Sequence, residues 1–450
     1  MLRIKEVRGI DAVENLREEW QTLFSMTDAS PFLSWEWIST WQRWFNSAQI
    51  PYILCAQSDN TLVGLLALGE EQRRLPLLSM RVRRLSFLGE DPGSADYLDV
   101  LSLPEYQSEA ASVIFDHLMY NVTFDVLDLD SISAESPNLP LLIQKFGARR
   151  KFRHRLTPRF VCPQVKFESG WTDILKKSKR ASNFKRRLQQ LRKLEGFEYR
   201  TITHPEEVGD AFERFLKLHE ARWTGKGGSD ATGNAILKNF HRDVVKRWAH
   251  AGLLWFEELW AEGACRASIY GLNNKQRYYY YNSGYDQTWK SKSPGLVLLG
   301  LSLENAARRG IKIYDFLRGD ETYKFDWATT TDKTADIQIF SQTLPASLFI
   351  AHKRAQTTAH VLIKALLPES AKGLLHRWKR SRKHRASKQP GYESHDHPCS
   401  DVFKRLPKAN HEKSSLFPQT GILNNHSPVR LSKNHVPVES TLDFNEKRNR

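Results

Sequence analysis

Between Tyr278 and Trp327 the chain leaves itself few ways to fold. Four consecutive tyrosines, Tyr278 to Tyr281, read as a β-strand, since aromatic side chains suit a pleated surface. A polar turn with Gly284-Tyr285-Asp286 follows, then a basic segment closed by Ser293-Pro294-Gly295. Pro294 suits a first helical turn and opens an apolar-faced helix. Residues 312–316 return as a short strand that ends in a dense patch of ionisable side chains. The order is strand, loop, helix, strand, charged cluster. It is the arrangement expected of a site that holds a phosphorylated cofactor beside reactive groups.

The charge balance argues against one obvious partner. The formal net charge of +16 suggests nucleic acid until it is divided. Residues 346–450 carry 20 Lys and Arg against 8 Asp and Glu, whereas residues 1–345 carry 47 against 43. Neutralising a phosphate backbone takes roughly one cation per contact, so nucleic acid is not an expected partner of this near-neutral body. A hydrophobic share of 40% and 13 Trp in 450 residues support two or three packed domains. No run approaches the ~20 apolar residues that span a bilayer, and MLRIKEVRGIDAVENL has no apolar leader core. Cys55, Cys162, Cys265 and Cys399 are scattered without metal-ligand spacing. Such thiols point to a reducing cytoplasm and to no metal site.

Strand and helix patterns run through residues 1–345 twice. In the first half, residues 2–7 read as a strand, 11–24 as a helix, and a Trp-rich helix opens at Ser30-Pro31. Residues 52–57 and 62–70 make a hairpin about Ser58-Asp59-Asn60. Further strands are expected at 85–88, 97–101 and 124–129, with helices at 105–120 and after Ser136-Pro137. Residues 149–168, basic and holding two prolines, read as a crossover. In the second half a basic helix over 171–195 precedes a strand at 197–203 and an amphipathic helix over 205–223. A glycine-rich loop at 225–233 and a helix at 236–251 lead to strands at 253–259, 265–272, 276–283, 312–316 and 335–341. The expected organisation is α/β, with domains at 1–160 and 161–345, a basic helical extension at 346–386 and a disordered tail at 387–450.

Two elements carry chemistry by residue type. Lys290, Ser291, Lys292, Ser293 and Gly295 stand at a helix start, where backbone N–H groups and the helix dipole attract anions. The same residues also make an ordinary capped helix. Arg318, Asp320, Glu321, Tyr323 and Lys324 bring a guanidinium, two carboxylates, a phenol and an amine into one loop. That set supplies base, oxyanion and orienting roles, or simply a solvated ion-pair loop.

Gly284, Tyr285, Asp286, Trp289, Ser293, Pro294 and Gly295, with Phe316, Leu317, Arg318, Gly319, Asp320, Glu321, Tyr323, Lys324 and Trp327, resemble one family's pattern. It is that of the BioF2-like acetyltransferases, a branch of the GNAT superfamily that includes CelD-like cellulose-biosynthesis proteins. Residues 176–193, KKSKRASNFKRRLQQLRK, resemble its basic helix, and Leu218-His219-Glu220-Ala221-Arg222-Trp223 a segment before a glycine-rich loop. PFLSWEW at 31–37 and ADYLD at 95–99 are similar to parts of its first half. The resemblance implies two tandem GNAT-like domains with mixed sheets flanked by helices, as in Fem-type peptidyl transferases. It implies an N- or O-acyltransferase that uses acetyl-CoA or another acyl-CoA on a sugar, amino sugar or polysaccharide or envelope precursor. GNAT enzymes hold the donor in a splayed gap between two parallel strands, with its pyrophosphate on a loop that opens a helix. By position that loop is Lys290, Ser291, Lys292, Ser293 and Gly295. Residue chemistry and position together make Asp320 or Glu321 the base, Tyr323 a proton donor to sulfur and Lys324 an oxyanion partner. Arg318 would orient a carboxylate or bind an anionic acceptor. Asp96, Tyr97, His219, Arg222, Tyr285 and Asp286 are the implied acceptor contacts.

Two other readings follow from the same residues. A Fem-type aminoacyl transfer from charged tRNA would use the basic helix at 176–193. A non-catalytic scaffold would recruit partners, or an anionic inner-membrane face, through the basic segment at 371–386.

Overall fold

The computed structural model describes residues 1–45, 49–74, 80–223 and 234–353. The first run of elements is β1 (Arg3–Arg8), α1 (Ala12–Asn15), α2 (Arg17–Ser25), α3 (Trp35–Phe45), β2 (Ile50–Ser58), β3 (Thr61–Arg74), β4 (Arg81–Phe87), β5 (Leu101–Ser102), α4 (Gln107–Tyr120), β6 (Val126–Ser133), α5 (Asn138–Gly147) and β7 (Phe152–Lys166). After α6 (Gly170–Lys177) and α7 (Ala181–Leu191) the order recurs. It gives β8 (Glu198–Ile202), α8 (Val208–Trp223), α9 (Ala235–His250), β9 (Leu254–Ala261), β10 (Ala264–Asn274), β11 (Arg277–Tyr285), α10 (Pro294–Arg308), β12 (Ile313–Asp315), α11 (Thr322–Phe325) and β13 (Thr330–Ser341). In each run four antiparallel strands lead through a helix to a strand parallel to the fourth: β6 beside β4, and β12 beside β11.

The closing strand of each run sits with the other run. Lys166 and Gln164 of β7 lie opposite Ile313 and Asp315 of β12, while β13 pairs with β6 on one side and β7 on the other. One continuous sheet results, in the order β1-β2-β3-β4-β6-β13-β7-β12-β11-β10-β9-β8, with β5 on the side of β3. The fold is α/β, with the recurring element order built on this one mixed sheet. All described residues fall in one compact unit, Met1–Cys399. Residues 160 and 161, the expected boundary, both lie inside β7. Residues 344–353 are helical; the rest of the extension, the tail and the loop at 225–233 lie outside the described residues.

Three expectations need correction. Residues 149–168 are not a crossover loop but mostly strand β7. Its Pro158 stands where β13 shifts register between Lys333 and Ala335, a break in the ladder that accommodates proline. Residues 97–101 are not a strand: Tyr97 takes φ +61° and only Leu101–Ser102 pairs with β3. Local bonds replace the ladder, since Tyr97 N donates to Ser131 O at 3.0 Å and Asp99 accepts from Asn138 Nδ2 at 2.9 Å. The basic helix at 171–195 is two helices. Ser178 breaks it with an extended ψ of 132° and donates its hydroxyl to Asp326 O at 2.9 Å.

Aromatic packing ties the runs together. Trp35, Trp37 and Trp41 are core residues; Trp37 stacks on Trp248 of α9 at 5.2 Å and donates Nε1 to Gly89 O at 2.9 Å. Under α10 a second core encloses Glu257 of β9, which is 1% exposed. Tyr278 and Ser302 each donate a hydroxyl to its Oε2 at 2.5 Å, and Tyr199 donates to its Oε1. Burial raises this carboxyl's pKa despite those hydrogen bonds. A carboxyl whose folded pKa is raised holds its proton more tightly when folded, so stability is lost as pH rises through that value. Glu257→Gln removes the titration. Thermal unfolding from about pH 5 to pH 8 is expected to show a flatter decline of Tm for this variant than for the parent; parallel profiles would refute the assignment.

Candidate active site

Both runs end their parallel pair after three residues, and in the second a bulge marks the point where the strands part into a gap. β11 and β12 are paired only from Arg277↔Ile313 to Tyr279↔Asp315. Beyond that point the chain after β12 turns to β7, with Phe316 N donating to Pro163 O and Gly319 N to Val161 O, both at 3.0 Å. On β11 the register to β10 jumps from Gly271↔Tyr280 to Tyr270↔Asn282, which leaves Tyr281 as a β-bulge. Bulges re-aim backbone groups and recur beside active sites. No such shift breaks the β3–β4 ladder of the first run. Past β4 and along β6, Arg159 of β7 instead gathers Glu90, Asp130 and Asp336 at 3.4, 2.6 and 2.8 Å. Burial first and Asp130 second push the Asp336 carboxyl up to about 6.

Two groups of residues flank the gap at the C-terminal ends of its strands. The first surrounds the start of α10. Asp286 accepts Thr288 N at 3.0 Å and Arg266 Nη1 at 2.9 Å; burial opposes its charge, but these bonds hold its pKa below the usual range. Trp289 is buried, with Lys292 Nζ 3.8 Å over its ring and 3.4 Å from Glu262. Lys290 and Ser291 are exposed. Ser293 is left-handed (φ +56°, ψ +49°) and makes no side-chain cap, contrary to an ordinary capped helix. The N–H groups of Gly295 and Leu296 meet no acceptor among the described residues, whereas Val297 N donates to Ser293 O at 3.2 Å. A Cβ on Gly295 would stand 3.3 Å from the ring of Tyr285, so that ring lies across the helix start.

The second group centres on Arg318. Its Nε donates to Asp96 Oδ1 at 2.8 Å and its backbone N to Asp96 Oδ2 at 3.1 Å, and Nη2 donates to Ala95 O. The guanidinium lies 4.3 Å from the ring centroid of Phe160. Asp96 is wholly buried; burial raises its pKa and Arg318 opposes that shift. The carboxylate that Arg318 engages is thus the protein's own Asp96. Tyr97 is buried under Arg277, whose guanidinium is 5.0 Å from its ring. Lys324, also buried, donates Nζ to Arg318 O at 2.7 Å and pairs with half-exposed Glu321 at 3.0 Å. Asp320 is exposed and has no ion pair among the described residues, and Tyr323 packs on the core under α10. Gly319 has φ +137° and a Cβ there would meet Glu321 and, at 2.6 Å, Lys324 Nζ. Leu317, buried at φ +54°, is held there by Leu317 N donating to Asp315 Oδ1 at 2.7 Å. Strained backbone of this kind clusters at functional sites.

Elsewhere, His219 on α8 is buried with Nδ1 2.9 Å from Ser283 O of β11. The side chain of Arg222 lies outside the described residues. Sequence reasoning missed Asp315, Gln164 and Cys162. Asp315 Oδ2 accepts from Gln164 Nε2 at 2.8 Å and Arg277 Nη2 at 2.5 Å. Cys162 is buried, and burial with Asp96 and Asp315 nearby pushes its thiol pKa far up, so it is no nucleophile. Gln164 and Cys162 were hidden in the segment read as a crossover. His241 is enclosed by Phe240, Tyr270 and Tyr281; burial holds its pKa down to about 3, which keeps the imidazole neutral. Among the described residues no group of His, Cys, Asp and Glu is placed to hold a metal ion, and no helix is long and apolar enough to cross a membrane.

Residues 178–325 match the family model described as "Acetyltransferase (GNAT) domain". They span α7 through α11 and so include the start of α10 and the loop from Arg318 to Lys324, but not Asp96 or Phe160. Among solved structures the chain is similar to FemX at TM-score 0.53 and 10% identity, over 74% of this chain and 98% of that one. It also matches the C-terminal domain (DUF2156) of a putative lysylphosphatidylglycerol synthetase from Agrobacterium fabrum, at TM-score 0.48 and 9% identity, over 75% of this chain and 95% of that one. A tandem GNAT protein from the clavulanic acid biosynthesis pathway is matched at TM-score 0.37 and 11% identity, over 74% and 98%. No curated protein sequence matches the chain.

Proposed function

We propose that the protein transfers an acyl group from an acyl-CoA thioester to nitrogen or oxygen of a sugar, amino sugar or glycan precursor. The observation that supports this reading is the Tyr281 bulge opposite a parallel partner that ends at Asp315, present in the second run alone. A gap of this kind beside a helix start is what the GNAT resemblance implies for the donor. The fit at the helix start is partial: the N–H groups of Gly295 and Leu296 meet no acceptor among the described residues and Lys290 is exposed, while Lys292 is already engaged. The repeated element order also supports a duplication, with the copies expected at 1–160 and 161–345 meeting at β7.

In the proposed step the acceptor nitrogen or oxygen attacks the thioester carbon. A C–N or C–O bond forms, the C–S bond breaks, and the acceptor's proton goes to a carboxylate while the thiolate takes one from an acid. Asp320 is the more available base, because Lys324 already holds Glu321. Two of the three Lys324 Nζ–H donors are used by Arg318 O and Glu321, leaving one for developing oxyanion charge. Tyr323 is the proposed proton donor. Arg318 acts by locking the loop rather than by touching substrate.

Calorimetry with acetyl-CoA, longer acyl-CoAs and free CoA is expected to show binding; none by any of them to folded protein would sink the reading. Asp320→Asn should then cost ~10²–10⁴ in turnover with donor binding unchanged. Full turnover by both Asp320→Asn and Glu321→Gln would remove the carboxylate base. A second reading, aminoacyl transfer from charged tRNA, is favoured by the likeness to FemX. Salt-sensitive binding of charged tRNA without any response to acyl-CoA would replace the first reading with it.

A further inference from the structure

The net charge of the chain has two addresses. Residues 176–193 hold nine Lys and Arg and no Asp or Glu, and residues 371–386 hold seven and none. Of the 67 basic residues in the chain, 51 lie elsewhere, and they equal the 51 acidic ones. Without its basic helices the body at 1–345 would be net acidic, with 38 basic residues against 43 acidic. One segment thus carries the whole cation excess of the folded body.

The structure shows how that segment is presented. Phe184, Leu188 and Leu191 of α7 are buried, and Phe184 packs so tightly on Gly300 of α10 that an added Cβ would stand 2.8 Å from its Cζ. With the apolar stripe turned inward, Lys177, Lys179, Lys185 and Arg186 are exposed. The α6–α7 junction is clamped to the residue that follows α11: Lys179 N and Ser178 Oγ both donate to Asp326 O, and Arg180 Nε lies 2.5 Å from its carboxylate. Immediately before Asp326, Phe325 is 41% exposed, one of few large apolar side chains left in solvent among the described residues. An exposed aromatic set among cations beside the candidate catalytic loop matches the make-up of surfaces that lie on lipid headgroups. The second basic segment repeats it, with Leu374, Leu375 and Trp378 among its cations.

We propose that α6, α7 and Phe325 form a docking surface for an anionic lipid bilayer, which turns the gap toward an acceptor carried at the membrane. This rests on the acyltransferase reading for the acceptor, but docking itself is measurable without any donor or turnover. The full chain is sedimented with vesicles of phosphatidylcholine alone and of phosphatidylcholine mixed with phosphatidylglycerol, at low and high salt. Binding to the anionic vesicles only, weakened by salt, is expected. Lys177→Glu, Lys179→Glu, Lys185→Glu and Arg186→Glu combined should reduce partitioning by about tenfold or more, and Phe325→Ser should reduce it severalfold. Gln at the same four positions guards against a folding effect, and each variant must keep the parental thermal transition. The proposal fails if the Glu variant binds vesicles like the parent while Gln replacements at Arg377, Lys379, Arg380 and Arg382 abolish binding. It fails equally if the parent ignores anionic vesicles, or if an RNA hairpin displaces them through the same four residues.

Discussion

Arg318→Ala is expected to destabilise the protein by about 3–5 kcal/mol, the cost of leaving a buried carboxylate without its cation. Asp96, 222 positions away in the chain, is wholly buried and receives both the Arg318 side chain and its backbone N–H. The variant keeps the backbone bond and loses the charge that offsets burial. Urea unfolding reads the loss directly, and its pH dependence identifies the cause. Burial already raises the Asp96 pKa, and Arg318 is the main opposing influence. Without Arg318 the folded pKa rises further, so the variant should lose still more stability as pH rises and recover toward acid pH. Asp96→Asn in the same background should restore part of the deficit. A loss below about 1 kcal/mol, typical of exposed pairs, would mean that Asp96 finds water once Arg318 is gone.

Gly284→Ala is expected to be harmful for a different reason. A Cβ there would meet the His219 backbone nitrogen and stand 2.7 Å from the Leu218 carbonyl carbon. These are atoms of α8 that no rotamer change can move, so the helix must shift or β11 must bend. Overpacking of this sort costs about 1–3 kcal/mol, occasionally more. The displacement also reaches the gap, because His219 Nδ1 bonds to Ser283 O on the bulged strand. A shift of about 1 Å there should lower turnover on the order of 100-fold. Gly209→Ala is the control: it lies in the same helix, meets nothing within 4 Å, and should be neutral or slightly stabilising in thermal melts. Equal melting of both variants would show that α8 and β11 are not rigidly joined.

What could be read from the sequence was what neighbouring residues decide. Strands β9 to β11 and helix α10 follow from local apolar patterns and punctuation such as Ala261-Glu262-Gly263 and Ser293-Pro294-Gly295. The charged loop after β12 was visible as a candidate site for the same reason. Which charges cancel was not visible, because Arg318 and Asp96 are neighbours only after the two runs share a sheet. Asp96 was read as an acceptor contact and Arg318 as orienting a carboxylate or binding an anionic acceptor, since an Arg and an Asp look alike in sequence whether they meet a ligand or each other. β7 was hidden by its two prolines, which usually argue against a central strand. The irregularity that accommodates Pro158 lies in β7 itself, where the three steps from Val161 to Pro158 face the two from Lys333 to Ala335, and it takes shape only when β13 pairs there.

The exchange of β7 and β13 bears on how the molecule can move. Each run surrenders its last strand to the ladder of the other, so the runs are clasped rather than hinged. Separating them would break the hydrogen bonds of β13 to β6 or of β7 to β12, inside the sheet rather than at a linker. Access to the gap must therefore come from loops and side chains that swing aside, with the sheet as a fixed anvil beneath them.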